Sequence, residues 1–380
     1  TELEEMIYVE GEEGDLRRRV TPNENWQIPI ETFADKLTSD ENLGKLKWKQ
    51  KLFYKNQNDI IRSLMDAHNQ VETLPGDLTE EEAEANESAA LSKKIALYGS
   101  AGSNIFLLFL KIFAAYFSGS LSVLASALDS FLDILSGAIL FIMEIIANKT
   151  SERDYPAGKS RFEPVGIVIF SSCMFTATFQ LLISSIQTLI TQDIDITVDT
   201  ATLVILMITI VLKFFLWMYC RTVKGSEAVN ALALDHRNDV VSNIFGVTTA
   251  LLGYHYRWWI DPIGAVCISL YLMFIWFRTG LSQLSSLTGK TASPEFLQTL
   301  TLIARNHHKD IIAIDTVRAY EYGYKYMVEL DIVLDPEMRL RETHDIGESL
   351  QNKLELLENV ERAFVHIDYE WEHKPEHSGR

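Results

Sequence analysis

The most prominent pattern in this chain is a series of long apolar stretches separated by short polar segments. A helix that crosses a membrane needs roughly 20 mostly apolar residues. Six stretches reach that length: 95–117, 121–147, 164–190, 200–220, 230–253 and 259–279. The pattern therefore predicts an α-helical membrane protein with six transmembrane helices.

The polar segments between these spans differ in charge. Basic residues concentrate after the second and the fourth span: Lys149, Arg153, Lys159, Arg161, Arg221 and Lys224. Because cytosolic loops carry an excess of Lys and Arg, these two loops and both termini are predicted to be cytosolic. The other loops are nearly free of positive charge. The last of them carries aromatic residues typical of the opposite membrane interface: Tyr254, Trp258 and Trp259.

The pattern changes after the last span. A helical segment capped by Ser293 is followed by two alternating segments around Gly323, a second helical segment from Arg339, and a third alternating segment. This αββαβ order predicts a two-layer cytosolic domain of the ferredoxin-like or metallochaperone-like kind.

Composition separates the chain into regions. Residues 1–92 hold 21 acidic and 10 basic side chains, and residues 290–380 hold 18 and 11, whereas the apolar middle is balanced at 13 of each. The formal net charge of −18 argues against a nucleic-acid partner, which would require clustered Lys and Arg. The N-terminal region contains one amphipathic helical segment and is otherwise expected to be partly helical or disordered. The predicted domains are a cytosolic N-terminal region, a transmembrane domain, the αββαβ domain and a tail: 1–92, 93–289, 290–372 and 373–380.

Two of the predicted spans each carry a pair of aspartates four residues apart. Asp129 and Asp133 lie on the second span, and Asp235 and Asp239 lie on the fifth. Four residues is about one helical turn, so each pair projects from one face of its helix. An ionised carboxylate inside a membrane is costly unless it is paired, bound to metal or hydrated. Four mutually repelling acids are stable together when a cation lies among them, which indicates a pathway for metal ions.

The alternative for these acids is a purely structural role as buried caps or salt bridges. The candidate intramembrane partners are Lys111, Lys213 and Arg237. Three cations do not neutralise four acids, so the transport interpretation is favoured.

The donor atoms carry information about the ion. Carboxylate, carbonyl and water oxygens suit Mg²⁺, Ca²⁺ and Mn²⁺, whereas imidazole favours Zn²⁺, Cu²⁺ and Ni²⁺. A site of four carboxylates therefore favours Mn²⁺, with Fe²⁺ and Zn²⁺ as alternatives. His236 follows Asp235 directly, and a one-residue step turns about 100° around a helix, so His236 is expected to face away from the site as a packing residue. Asn104 and Asn238 are expected to form interhelical hydrogen bonds and are alternative neutral ligands.

The mechanism follows from the charge of these acids. Metal binding to carboxylates requires that they release protons, so one set of residues can carry metal one way and protons the other. The chain has no phosphate-binding GxxxxGK[ST] motif. Energy is therefore expected from an ion gradient.

The chain resembles the cation diffusion facilitators, and more closely their manganese-type branch, which includes plant metal tolerance proteins. The resemblance covers about residues 90–372 and is carried by four motifs: DSFLD at 129–133, DHRND at 235–239, RDYPAGKSRFEPVG at 153–166 and VHIDYE at 365–370. It implies that the four aspartates form the transport site and that Mn²⁺ leaves the cytosol in exchange for H⁺ by alternating access. It also implies a homodimer in the lipid bilayer, no enzymatic activity and no cofactor, with an endomembrane such as the vacuole or Golgi favoured over the plasma membrane.

In zinc-type relatives the cytosolic domain binds regulatory metal near the dimer interface. The corresponding positions here are His344 on the second helical segment and His366 and Asp368 on the last strand. The resemblance therefore implies a tentative second site, with an ordinary surface histidine and strand acid as the alternative.

Two rival functions remain open from sequence. An intramembrane aspartyl protease also uses two transmembrane aspartates, but the GxGD motif of that class is absent and both acid pairs lie one turn apart on single helices. A membrane metal sensor that signals through its soluble domain would bind metal without transporting it.

Overall fold

The structure, a computed structural model, describes residues 26–72, 80–118, 121–147, 154–192, 200–223 and 226–370. Six of its helices are long, and they coincide with the six predicted spans: α4 (Glu80–Ser118), α5 (Leu121–Ala147), α6 (Phe162–Thr191), α7 (Thr200–Thr222), α8 (Glu227–His255) and α9 (Ile260–Leu287). Among the described residues, all of these except α8 are long and apolar enough to cross a membrane. Helix α8 has a comparable length but carries the polar run DHRND.

The six long helices form a closed ring. The order of neighbours around it is α4, α5, α6, α9, α8, α7, and α7 packs again against α4. Helix α8 also contacts α4, α5 and α6, so it lies towards the interior of the bundle. The ring thus includes α8 as its sixth member, so the predicted bundle of six long helices is confirmed in the described part of the chain, with five of them apolar enough to span a membrane.

The bundle is apolar outside and polar inside. Large side chains such as Phe109, Phe113 and Phe274 lie exposed on the outer surface, as a lipid-facing surface requires. The buried positions include many polar residues, among them Ser100, Asn104, Lys111, Lys213, Asp235, His236 and Asn238. Tyr254, Trp258 and Trp259 lie exposed around the turn between α8 and α9, where the sequence predicts an aromatic interface.

The C-terminal domain has the predicted αββαβ order. Its elements are α10 (Pro294–Arg305), β1 (Ala313–Tyr322), β2 (Lys325–Val333), α11 (Leu340–Glu355) and β3 (Val360–Asp368). Strand β2 is central, antiparallel to β1 and parallel to β3. Fully buried Leu300, Leu330, Ile332, Leu350 and Leu354 form the core between sheet and helices.

An N-terminal helix packs against this domain. Two short helices, α1 (Glu31–Ala34) and α2 (Asp40–Gly44), precede α3 (Trp48–Glu72), which coincides with the predicted amphipathic segment. Ala67 and Val71 of α3 join the core of the C-terminal domain. The backbone of Ile28 also exchanges two hydrogen bonds with the Asn306 side chain, each 2.9 Å long. The described part of the N-terminal region is therefore attached to the C-terminal domain.

The loop before α6 connects the membrane domain to the C-terminal domain. The Arg161 guanidinium lies over the Tyr322 ring, 4.0 Å from its centroid. The Arg362 side chain donates a hydrogen bond of 2.9 Å to the Pro156 carbonyl oxygen. Lys149 and Arg153 lie outside the described residues. In this loop the basic side chain of Arg161 thus has a packing role beside its predicted role in orientation.

Replacing Gly323 by alanine is expected to destabilise this junction. Gly323 turns the β1–β2 hairpin with φ +70°, and an added Cβ would lie 2.6 Å from the carbonyl carbon of Ser160. The left-handed conformation alone costs a non-glycine residue about 1–2 kcal/mol. We expect a clearly lower melting temperature of the full-length protein in detergent. Gly99→Ala is the control, because its Cβ meets no atom within 4 Å, and equal melting temperatures for the two variants would contradict the prediction.

Acidification is expected to destabilise the C-terminal domain through His307. Burial, together with the Lys353 ammonium and His308, lowers the pKa of His307 to about 4, whereas an unfolded chain has a histidine pKa of about 6.5. Between these values the unfolded chain binds a proton that the folded domain does not, so stability is lost as the pH falls through this window. Thermal unfolding of the full-length protein at pH 7.5 and pH 5 measures the loss. His307→Gln should reduce it and His344→Gln should not; equal losses in both variants would refute the assignment.

Candidate metal centre

Helix α8 is held at its N-terminal end by a buried acid from another helix. Ser226 is its N-cap and accepts from the Val229 N–H, and the Glu163 carboxylate of α6 accepts from the Ala228 N–H at 2.9 Å. A carboxylate at a helix N-terminus satisfies free N–H groups and favours the helix dipole. These contacts fix the position of α8, and with it that of its two aspartates.

Three of the four predicted aspartates converge on one lysine. The Lys213 Nζ of α7 lies 2.6 Å from Asp239 Oδ2, 3.4 Å from Asp133 Oδ2 and 3.9 Å from Asp235 Oδ2. Lys213 and Asp235 are each only 2% exposed. Asp133 of α5 and the two aspartates of α8 therefore face the inside of the bundle and each other, as the sequence predicts. From the sequence, Lys213 is only one of three candidate cations. Its contact with three of the aspartates is shown by the structure.

The fourth aspartate belongs to the same helix face as Asp133. Asp129 lies in α5, one turn before Asp133. Its side chain lies outside the described residues. Its membership of the site stays a prediction that rests on helical spacing.

His236 is closer to the acids than its position in the sequence suggests. Asp235, His236 and Asp239 each offer one ligand atom, and these atoms lie within 4.8 Å of one another. The Nε2 of His236 shares a hydrogen bond of 2.9 Å with Ser100 Oγ on α4, and its Nδ1 lies 4.0 Å from Asp235 Oδ2. The imidazole is fully buried. It fills the space between α4 and α8, as a packing residue would, but it borders the site directly.

Two buried amides extend the set of oxygen donors. Asn104 lies one turn after Ser100 on α4, and its Oδ1 is buried and has no hydrogen-bond partner among the residues that the structure describes. The Oδ1 of Asn238 accepts from Arg237, while its Nδ2 is buried without a partner. Buried polar atoms without partners are costly. The Oδ1 of Asn104 is therefore a candidate neutral ligand for an ion in the bundle.

The composition of this centre suits a hard cation. Among the described contacts around Lys213, three carboxylates face one ammonium, so acidic groups predominate in this cluster. Because the centre is buried in an apolar bundle, a divalent ion would be attracted strongly and coordinated mainly by oxygen. The arrangement can bind a cation and exchange it.

The candidate ligands of the C-terminal domain, His344, His366 and Asp368, do not form one cluster within a single chain. The His344 imidazole is 64% exposed and lies near Asp345 and Glu348 of its own helix, at 3.5 and 3.8 Å. His366 lies across the β2–β3 pair from Asp331, with 3.7 Å between Nδ1 and Oδ1. Asp368 accepts from the backbone N–H of Tyr369. Within the described ranges, no three potential ligands come together here as they do in the bundle, so this second site stays a prediction.

A ring of apolar helices around a cluster of acids, joined to an αββαβ domain, is the arrangement expected of a transporter of divalent metal cations. Comparison with known families agrees. Residues 97–288 match the cation efflux transmembrane domain, and residues 292–370 match the cation efflux protein cytoplasmic domain. The chain belongs to this cation efflux family, the cation diffusion facilitators, whose members are transporters and not enzymes.

Individual relatives are similar over most of their length. Metal tolerance protein 10 of Arabidopsis thaliana is 43% identical over 86% of this chain and 76% of its own length. Metal tolerance protein 11 of the same plant is 42% identical over 86% and 83%. Metal tolerance protein 7 of Oryza sativa subsp. japonica is 43% identical over 86% and 84%. The chain is thus a multi-pass membrane protein that moves divalent metal cations out of a compartment.

Proposed function

We propose that the protein exports Mn²⁺ from the cytosol in exchange for H⁺. The observation that carries this proposal is the donor set: the carboxylates of Asp133, Asp235 and Asp239 face one buried point. Oxygen donors suit Mn²⁺, whereas Zn²⁺, Cu²⁺ and Ni²⁺ are favoured by nitrogen donors such as imidazole. Fe²⁺ and Zn²⁺ are the competing substrates.

The exchange with protons follows from the same carboxylates. A metal ion that leaves a buried site removes two positive charges from a group of acids, and isolated carboxylates in a dry interior are unfavourable. Protons entering from the opposite side can replace that charge on the same oxygens. Alternating access of α5 and α8 to the two sides then couples metal export to proton entry.

The assembly and the location are further parts of this proposal. The C-terminal domain matches a family domain associated with dimerisation, and closed two-fold symmetry is the commonest oligomer. We propose a homodimer with the C-terminal domains in contact, with both termini in the cytosol, in an endomembrane such as the vacuole or Golgi. In that location the exported ion would be sequestered in the lumen.

Flux into proteoliposomes tests this function. Purified full-length protein is reconstituted with an acidic lumen, Mn²⁺ is added outside, and both Mn²⁺ uptake and lumenal pH are followed. We expect Mn²⁺ uptake together with lumenal alkalinisation, and loss of both when the pH gradient is collapsed by an ionophore.

Competition with Fe²⁺ and Zn²⁺ in the same assay ranks the substrates. Uptake that is inhibited more strongly by excess Zn²⁺ than by excess Mn²⁺ would contradict the manganese preference. Metal binding without flux would contradict transport and favour a sensor.

A further inference from the structure

The Lys213 ammonium lies within 4 Å of three of the predicted transport carboxylates, those of Asp133, Asp235 and Asp239. Lys213 lies near the middle of α7, a helix that contributes none of the four aspartates, and is 2% exposed. Its ammonium group contacts acids of both α5 and α8. Lys213 thus contacts both of the helices that we propose to hold the transported ion.

One carboxylate oxygen in the cluster around Lys213 has no hydrogen-bond donor among the described residues. The Lys213 ammonium donates a hydrogen bond to Asp133 Oδ2 at 3.4 Å. The Oδ2 of Asp239 pairs closely with Nζ at 2.6 Å, whereas the Oδ1 of Asp235 is buried and has no hydrogen-bond partner among the described residues. Buried carboxylate oxygens are normally saturated by donors. The Oδ1 of Asp235 therefore retains its lone pairs for a further cation, while the Oδ2 atoms of the cluster are shared with Lys213.

A metal ion and the ammonium cannot both use these oxygens fully. A bound divalent ion of the Mn²⁺ or Zn²⁺ type sits roughly 2.0–2.2 Å from carboxylate oxygens, whereas Nζ already lies 2.6 Å from Asp239 Oδ2. A divalent ion at that oxygen would be within a few ångströms of the positive charge of Lys213, a residue only 2% exposed, and like charges at that distance repel each other.

We propose that Lys213 is a tethered competitor of the transported ion. Its ammonium pairs with the carboxylates of Asp133, Asp235 and Asp239 and must give up these contacts when a divalent ion binds. When the ion leaves, the ammonium pairs with the acids again. Lys213 thereby weakens metal binding and accelerates metal release, so that the site does not retain its ion. This inference rests on the proposed function of the site as a metal pathway.

The first test is Lys213→Gln in the full-length protein, with MnCl₂ as the probe. Isothermal titration in detergent measures the dissociation constant, and proteoliposome flux measures KM and maximal rate. With the competitor removed, we expect Mn²⁺ to bind at least tenfold more tightly, KM to fall in parallel, and the maximal rate to fall because release is slower. Removal of a lysine with only a structural role would not raise the affinity for Mn²⁺ while it lowers the maximal rate.

Lys213→Arg is the second variant, because it keeps the charge and so tests the proposal even where the glutamine variant does not fold. The guanidinium pairs with carboxylates in a bidentate manner and competes more strongly. We expect Mn²⁺ to bind at least threefold more weakly than in the wild type. Unchanged or tighter binding in Lys213→Arg would overturn the proposal.

Lys93→Gln is the matched control, since Lys93 of α4 pairs with Glu144 of α5 away from the aspartates. We expect its metal affinity to equal that of the wild type. Tighter binding in the control, or unchanged or weaker binding in a folded Lys213→Gln protein, would overturn the proposal. Absence of flux in the wild type would instead refute the proposed function, and the binding titrations would still decide the role of Lys213.

Discussion

Asp239→Ala is expected to reduce metal flux at least 100-fold. Asp239 makes the shortest described contact between the acids and Lys213, at 2.6 Å, and lies beside Asp235 and His236 in the cluster of potential ligands. Its removal takes away one anionic ligand and one of the charges that hold a divalent ion in the bundle. A missing charged ligand in a buried site costs several kcal/mol, which corresponds to a factor of at least 100 in binding. Lys213 keeps Asp133 and Asp235 as partners, so the fold should survive.

Initial rates of Mn²⁺ uptake into proteoliposomes measure this effect, with protein orientation and amount determined for each variant. The control is Asp261→Ala, because Asp261 is an acid of α9 that accepts a hydrogen bond from Thr249 at 2.9 Å outside the cluster. We expect the control to retain most of the wild-type flux. Equal loss in both variants would show that the bundle needs its acids for folding, and intact flux in Asp239→Ala would remove Asp239 from the transport site.

Much of this architecture follows directly from the sequence, because membrane helices and amphipathic segments leave strong local patterns. The six spans were predicted to within a few residues at most of their ends, and the order of the αββαβ domain was predicted fully. The largest difference is at α4, which begins at Glu80 instead of near residue 95. The hydrophobic pattern marks only the part of a helix that meets lipid. The preceding acidic run has high helix propensity and continues the same helix without a visible boundary.

The contacts inside the bundle are less predictable, because they depend on which helices are neighbours. Spacing alone placed Asp133 on one face of α5 and Asp235 and Asp239 on one face of α8. That Lys213 of α7 meets all three required the order of helices around the ring. The position of His236 was only half predicted: a step of about 100° does turn it towards α4, but a long imidazole on a crowded helix still reaches the edge of the acid cluster.

The predicted cytosolic site differs from the centre in the bundle, because its candidate ligands are not brought together within one chain. His366 and Asp368 do share one face of β3, as alternation requires, yet His344 on α11 pairs with acids of its own helix. Residues that match a family pattern one by one need not converge in a single chain. Whether a second chain completes the set is a question of assembly that local sequence patterns do not address.

Asp235→His is expected to shift the preference from Mn²⁺ towards Zn²⁺. Asp235 is 2% exposed and lies at the centre of the acids, with Lys213 and His236 close to its carboxylate. An imidazole at this position replaces a hard oxygen by a nitrogen donor and removes one negative charge. Zinc accepts a mixed nitrogen and oxygen set in four-coordinate geometry, whereas Mn²⁺ loses a preferred ligand. We expect the ratio of Zn²⁺ to Mn²⁺ uptake to rise at least tenfold, which corresponds to about 1.4 kcal/mol of differential binding.

Parallel uptake of the two ions by the same proteoliposomes gives this ratio without correction for protein amount. Asp235→Asn separates the two parts of the change, because it removes the charge while it keeps an oxygen donor of similar size. In that variant we expect lower uptake of both ions with little change in their ratio. A ratio that rises equally in the asparagine variant would show that charge sets selectivity. An unchanged ratio in Asp235→His would mean that the hardness of the ligands does not determine which metal this bundle carries, and that selectivity resides in the geometry that α7 and α8 impose on the site.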